Sequence, residues 1–379
     1  MSGRIIRLRD FDPLLLLSTL GLVVLGLMLI YSGSLSQFGK PQGIDYSHPV
    51  VRQAMFAIAG VALALLVMRF DYRTLGTLCV GLYIACIAAL AFLVVEGEAV
   101  YGSRRWIEIG GTPVQPSEIA KLVVVIALAK YLSDHQEAIA TPRVFLTSLA
   151  IAAVPAALVF AQPDLGSAVI FAAIWLGMVT VAGARWQHVA ALLGSAIVAV
   201  PFVFMALVND YQRERIRLWL DPGSDPLGAG FQSLQAQIGI GSGGIFGKGL
   251  TEGTQTQLDY LRTGTTDYVF SVLGEELGFL GALLLFGLFV ILLWRGLRVA
   301  ELSRDMFGRL MATGIVIFIL LQAFINVGVN VGLLPVTGIP LPFVSQGGSS
   351  LITLLVALGI LQSILLRHRP FTFRTFYGG

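Results

Sequence analysis

The chain has 379 residues, of which 56% are hydrophobic and 12% charged, with a formal net charge of +3. Water-soluble globular chains carry about a quarter charged residues, so a soluble domain is excluded, and nothing in the composition points to nucleic acid. Apolar runs of about 20 residues, each long enough to cross a hydrocarbon core about 30 Å thick, recur along the whole length, which predicts one integral membrane domain over 1–379.

Arg4, Arg7 and Arg9 precede an apolar run from Pro13 to Leu35. The run is too long for a signal-peptide core and lacks a small-residue cleavage site, so it reads as the first span. Further helices are predicted at about 50–68, 74–95, 117–133, 143–161, 166–183, 187–208, 267–294, 306–334 and 347–366, about ten in all. Cys79 and Cys86 share the third run and read as packing residues. His48, His135, His188 and His368 are scattered and form no ligand cluster.

An even number of spans puts both termini on one side. If that side is cytoplasmic, it holds Arg4, Arg7, Arg9, Arg69, Arg73, Lys130, Arg143, Arg185, Arg295, Arg298, Arg304, Arg309, Arg367, Arg369 and Arg374. The short loops opposite hold only Lys40, Arg52, Arg104, Arg105 and Lys121. Cytoplasmic loops carry the excess of Lys and Arg, so both termini are expected on the cytoplasmic side.

Polar residues within spans are costly and are functional candidates. The fourth helix enters from outside with Glu118 and Lys121 one turn apart, either as a mutual ion pair or as cavity-lining groups. Asp164, in the Gln162-Pro163-Asp164 connection, reads as a helix cap or as a site residue. The long connection at about 209–266 mixes aromatic residues, arginines and glycines, which predicts a large ordered extracellular loop. Arg213 and Arg215 within it fit ordinary loop ion pairs or anion binding. Asp267 follows this loop and opens a helix, where it is either a cap or a carboxylate placed where water and substrate meet. Glu275 and Glu276 lie about 12 Å further along that helix and fit structural partners. Gln322, Asn326 and Asn330, at spacing four, fit interhelical hydrogen bonding or substrate contact. The stretch Leu334 to Phe343, with three prolines and one glycine, cannot continue a helix and predicts a re-entrant or tightly packed outer loop.

The residues from Asn326 to Ser350, NVGVNVGLLPVTGIPLPFVSQGGSS, resemble the signature of the SEDS family (shape, elongation, division and sporulation). So do Gly102-Ser103-Arg104-Arg105-Trp106-Ile107, Gln115 to Lys121, Gln162 to Gly166, Tyr211-Gln212-Arg213, Gly239 to Gly244, Gly253-Thr254-Gln255, and Thr266 through Gly278, all in order along the chain. The few extra elements are similar to the RodA branch. The resemblance implies an all-α, ten-helix peptidoglycan glycosyltransferase acting on lipid II, partnered by a class B penicillin-binding protein. It implies Asp267 as the essential carboxylate, Glu118 and Lys121 as cavity residues, and Trp106 as the tryptophan beside the arginine pair. Asn330 is expected among the substrate contacts. Lys121, with Arg213 or Arg215, is expected to stabilise the leaving pyrophosphate. A divalent cation, Mg or Mn, is expected to be shared between one carboxylate and substrate phosphate, with no organic cofactor. A lipid II flippase and a non-catalytic scaffold are the competing expectations.

Two departures stand out. Many relatives read Leu-Pro-Glu-x-His-Thr-Asp where this chain has Leu261-Arg262-Thr263-Gly264-Thr265-Thr266-Asp267, and Gln346 replaces the usual tyrosine or alanine before the glycine pair.

Overall fold

The computed structural model describes residues 11–40, 45–96, 105–109, 112–207, 210–225, 228, 230–261 and 263–368. Ten of its helices stand at the places of the ten expected spans. These are α1 (Pro13–Phe38), α2 (Pro49–Arg69), α3 (Arg73–Glu96), α4 (Pro116–Asp134), α5 (Pro142–Ala161), α6 (Leu165–Val181), α7 (Trp186–Leu207), α11 (Val269–Leu302), α12 (Met306–Asn330) and α13 (Gly348–Leu366). Seven of them, α1, α2, α3, α5, α11, α12 and α13, are each long and apolar enough to cross a membrane.

The expected outer loop folds as short helices: α8 (Asp210–Leu220), α9 (Phe231–Ser242) and α10 (Thr254–Gln257). A small antiparallel hairpin, β1 (Ile107–Ile109) with β2 (Thr112–Val114), pairs Ile107 with Val114 between α3 and α4. Arg4, Arg7, Arg9, Gly102, Ser103, Arg104, Arg262, Arg369 and Arg374 lie outside the described residues.

α12 and α13 form the centre of the bundle, with 72% and 78% of their most apolar windows buried. Capping residues set where the spans begin. Asp12 accepts from the N–H groups of Leu14 and Leu15 ahead of Pro13, and Asp305 accepts from Gly308 at the start of α12. The same two aspartates gather one end of the bundle. Arg295 of α11 donates to Asp12 at 2.6 Å, and Gln362 of α13 donates to the Asp12 carbonyl at 2.8 Å. Tyr72 and Arg73 both donate to Asp305, and Arg367 donates to the carbonyls of Met68 and Arg69. The first and last described spans therefore begin and end at the same end of the molecule.

α11 is not the uninterrupted helix expected. It breaks at Gly278, whose φ of 64° is left-handed. The glycine-rich segment after α9 fits into the break. Gly244 and Ile245 accept from Phe279 and Leu280, while Lys248 and Gly249 donate to the carbonyls of Glu275 and Glu276. A Cβ on Gly247 would stand 2.1 Å from the Glu276 carbonyl oxygen, so only glycine permits this approach.

Candidate active site

The end of the bundle opposite Asp12 collects the cap, the hairpin, the α5–α6 turn, the start of α11 and the non-helical loop after α12. Asp267 sits in the last turn before α11. Its backbone is firmly held: its N–H donates to Thr263, and its carbonyl accepts from the amides of Asn326 at 3.0 Å and Asn330 at 2.8 Å. Its carboxylate accepts no hydrogen bond from the described residues and lines a cavity of about 390 Å³. Arg215, Glu214, Trp219, Gln232, Ser233 and Tyr268 share that lining. The surrounding protein pushes the Asp267 carboxyl above the ordinary aspartate range. Arg215 and Arg105 pull it back down, and Asp164 adds to the rise.

Arg215 reaches the cavity from α8 and donates to the Val336 carbonyl at 2.8 Å. Trp219, one turn on, donates to the Gly332 carbonyl at 3.0 Å, so α8 lies across the loop after α12 as a roof. Arg213, two residues before Arg215 on the same helix, is exposed and lines neither this cavity nor the smaller one beneath Arg215. Residues two apart on a helix do not face the same way. The sequence does not reveal that 210–220 is helical, hence the expectation for both arginines; only Arg215 is brought to Asp267.

The remaining expected site residues divide. Lys121 and Glu118 are 0% and 1% exposed and line neither cavity. They form an ion pair at 2.6 Å, and the Lys121 ammonium lies 5.2 Å from the centre of the Phe318 ring. Of the two readings the sequence left open, the structure shows the ion pair, made within α4 against α12, while the second carboxylate oxygen of Glu118 has no hydrogen-bond partner among the described residues. Asn330, also 0% exposed, spends its amide on the Asp267 and Asn326 carbonyls and its oxygen on the Ser271 N–H and hydroxyl. Nothing of it is left for substrate, so it positions Asp267. Gln322 and Asn326 likewise take up the Pro340 and Ile339 carbonyls of the proline-rich loop. Trp106 is 38% exposed at the start of the hairpin and lines neither cavity.

Glu275 is structural, as expected. Its carboxylate accepts from Lys248, Thr254, Gln255 and Thr256 and clamps α10 to α11. Asp164 caps α6 through the Ser167 N–H and also adds its charge to the field at Asp267. Two site residues were not singled out from the sequence. Arg105 donates to the carbonyls of Gln162 and Pro163 and faces Asp267 across Gly338. Gly338 itself has a φ of 74°. The Arg-Arg-Trp run and the Thr-Gly-Ile-Pro turn carried the signal, but their contact is long-range.

The profile of the FtsW/RodA/SpoVE family, described as cell cycle proteins, matches residues 13–369. The peptidoglycan glycosyltransferase MrdB of Escherichia coli K12 is 38% identical over 359 residues, covering 93% of each chain. Stage V sporulation protein E of Bacillus subtilis 168 is 40% identical over 356 residues, covering 93% of this chain and 96% of that one. Among solved structures, a chain of a peptidoglycan synthase complex, described as coordinating polymerization and crosslinking, is 31% identical with a TM-score of 0.79. The match covers 94% of this chain and 97% of that one. The crystal structure of Thermus thermophilus rod shape determining protein RodA is 30% identical with a TM-score of 0.67, covering 94% and 96%. A match along nearly the whole length, in sequence and in fold, leaves one conclusion: this chain belongs to the FtsW/RodA/SpoVE family, the SEDS proteins.

Proposed function

We propose that this multi-pass membrane protein is a peptidoglycan glycosyltransferase that polymerises lipid II into β-1,4 glycan strands at the outer membrane face, serving elongation and cell shape. The observation that carries the reading is the Asp267 carboxylate, held by its main chain, accepting no hydrogen bond from the described residues and open to a cavity at one end of the bundle. A group held this way is ready to accept a proton. In the proposed reaction, Asp267 takes the proton of the acceptor 4-hydroxyl. The oxygen attacks the donor anomeric carbon, and the bond to the lipid diphosphate breaks with inversion. General base catalysis of this kind contributes about 10²–10⁴-fold.

The leaving diphosphate needs positive charge, and Arg215 contributes it within the cavity. Asp267 would hold a divalent cation as its one protein carboxylate. When bound it supplies Lewis acidity to the leaving group. The arginine-rich end around Asp12 and Asp305 supports placing both termini in the cytoplasm. The similarity to a chain from a synthase complex supports a class B penicillin-binding protein as partner, crosslinking the strands as they emerge.

The test is purified full-length protein given labelled lipid II in detergent. Polymer is expected, and Asp267→Asn is expected to lower its rate by about 10²–10⁴-fold. Transfer of lipid between leaflets without polymer would establish a flippase instead. Asp267→Asn running at the wild-type rate would remove the base.

A further inference from the structure

The proposed reaction needs positive charge at the leaving group, and of the cations expected from the sequence only Arg215 reaches the cavity. Lys121 is engaged with Glu118, and Arg215 directs Nη1 at the Val336 carbonyl. Arg105 is different. Its Nε and Nη2 are fixed on the Gln162 and Pro163 carbonyls at the α5–α6 turn. Its Nη1 has no hydrogen-bond partner among the described residues.

Gly338 shows where that nitrogen points. A Cβ built on Gly338 would stand 3.5 Å from Arg105 Nη1 and 4.0 Å from Asp267 Oδ2. Apart from the adjoining residues of the chain, no other described atom lies within 4 Å of that point. The guanidinium and the carboxylate therefore border one open spot without forming an ion pair. The left-handed φ of Gly338, 74°, favours glycine there, and the missing side chain keeps the spot empty.

A gap between the base and the leaving-group cation is compatible with a displacement with inversion. The base and the leaving group stand on opposite sides of the reacting carbon, so the leaving-group cation belongs across a gap from the base, not bonded to it. We propose that Arg105 is a catalytic residue that holds a phosphoryl oxygen of the leaving diphosphate in the slot over Gly338. As the acceptor oxygen bonds to the anomeric carbon, its proton passes to Asp267. The electron pair of the broken bond leaves on the diphosphate, where Arg105 meets the charge. A guanidinium anchored through its other two nitrogens needs no rearrangement to do this. The assignment rests on the glycosyltransferase reading. The slot itself is a binding site for a diphosphate whatever the reaction.

The test uses full-length protein in detergent with inorganic pyrophosphate as the probe, both as an inhibitor of lipid II polymerisation and in direct calorimetry. Arg105→Gln is expected to weaken pyrophosphate binding about 10-fold or more and to lower kcat about 10²-fold, with Arg105→Lys recovering part of both. Gly338→Ala, which keeps the anchoring bonds of Arg105, is expected to weaken pyrophosphate similarly by filling the slot. A purely structural role would lower the melting temperature and leave pyrophosphate affinity of the folded variants at the wild-type value. That result, or no pyrophosphate binding by the wild type, overturns the assignment. Wild-type protein that binds pyrophosphate but never polymerises lipid II would sink the glycosyltransferase reading and leave the slot standing.

Discussion

Asp267 is positioned by its main chain. The positions where this chain departs from its relatives take part in that positioning. Thr263 offers its carbonyl to the N–H groups of Thr266, Asp267 and Tyr268, and its hydroxyl donates to Gln232 of α9. Thr265 donates to the Gln346 side chain at 2.9 Å, and the Gln346 N–H donates back to the Thr265 carbonyl at 2.8 Å. The two unusual residues thus contact each other and fasten the turn to the loop before α13. Charge then tunes what geometry holds. Burial raises the proton affinity of Asp267 while Arg215 and Arg105 oppose it. A base works ionised, so activity is lost as pH falls through its raised pKa. Arg215→Gln removes one of the opposing charges and leaves the burial, so the acid limb of kcat/KM is expected at higher pH than in the wild type. A pH–rate profile checks this; a limb that stays in place or moves down would refute the electrostatic role.

At the scale of elements, Glu118 and Lys121 form a buried pair within α4, and Lys121 also reaches Gln322 of α12 at 3.5 Å. Removing one member of a buried pair strands the other charge and costs about 3–5 kcal/mol, whereas replacing both with apolar residues is often neutral. Lys121→Met is therefore expected to lower thermal stability in detergent more than the double change Glu118→Leu with Lys121→Met. If the double variant proves the less stable, the pair contributes through something other than mutual neutralisation. The same elements show what the sequence makes legible. The spacing of Gln322, Asn326 and Asn330 places one polar stripe on α12, and the prolines after it mark the end of helix. Spacing does not reveal what the stripe meets: it is the loop's own carbonyls and the Asp267 backbone, fixed by folding residues 322–340 back on themselves. Arg105 was illegible for the same reason, since its neighbours lie about residues 162 and 338.

For the whole molecule, apolar length located the spans well, because crossing a bilayer demands about 20 apolar residues whatever the packing. The kink at Gly278 left no such trace. An isolated glycine in an apolar run costs about 1 kcal/mol and is often tolerated, and the partner that fills the break lies some thirty residues upstream in the cap. One end of the bundle carries Arg69, Arg73, Arg295 and Arg367, and the proposed topology puts that end in the cytoplasm. With Cys79 and Cys86 replaced, Lys40→Cys is expected to react in whole cells with a membrane-impermeant maleimide, and Arg69→Cys only after lysis. The reverse pattern would invert the protein and put Asp267 in the cytoplasm.

The glycine segment threaded into α11 makes the cap and the platform of Asp267 a single moving part. Four main-chain hydrogen bonds cross from Gly244, Ile245, Lys248 and Gly249 to the residues flanking Gly278. Lifting the roof off at this seam would bare those groups beside hydrocarbon, at several kcal/mol apiece. A bulky sugar-lipid must therefore enter by a route that spares the seam, sideways from the bilayer or past the free edge of α8, and never through a hatch opened at the root of the cap.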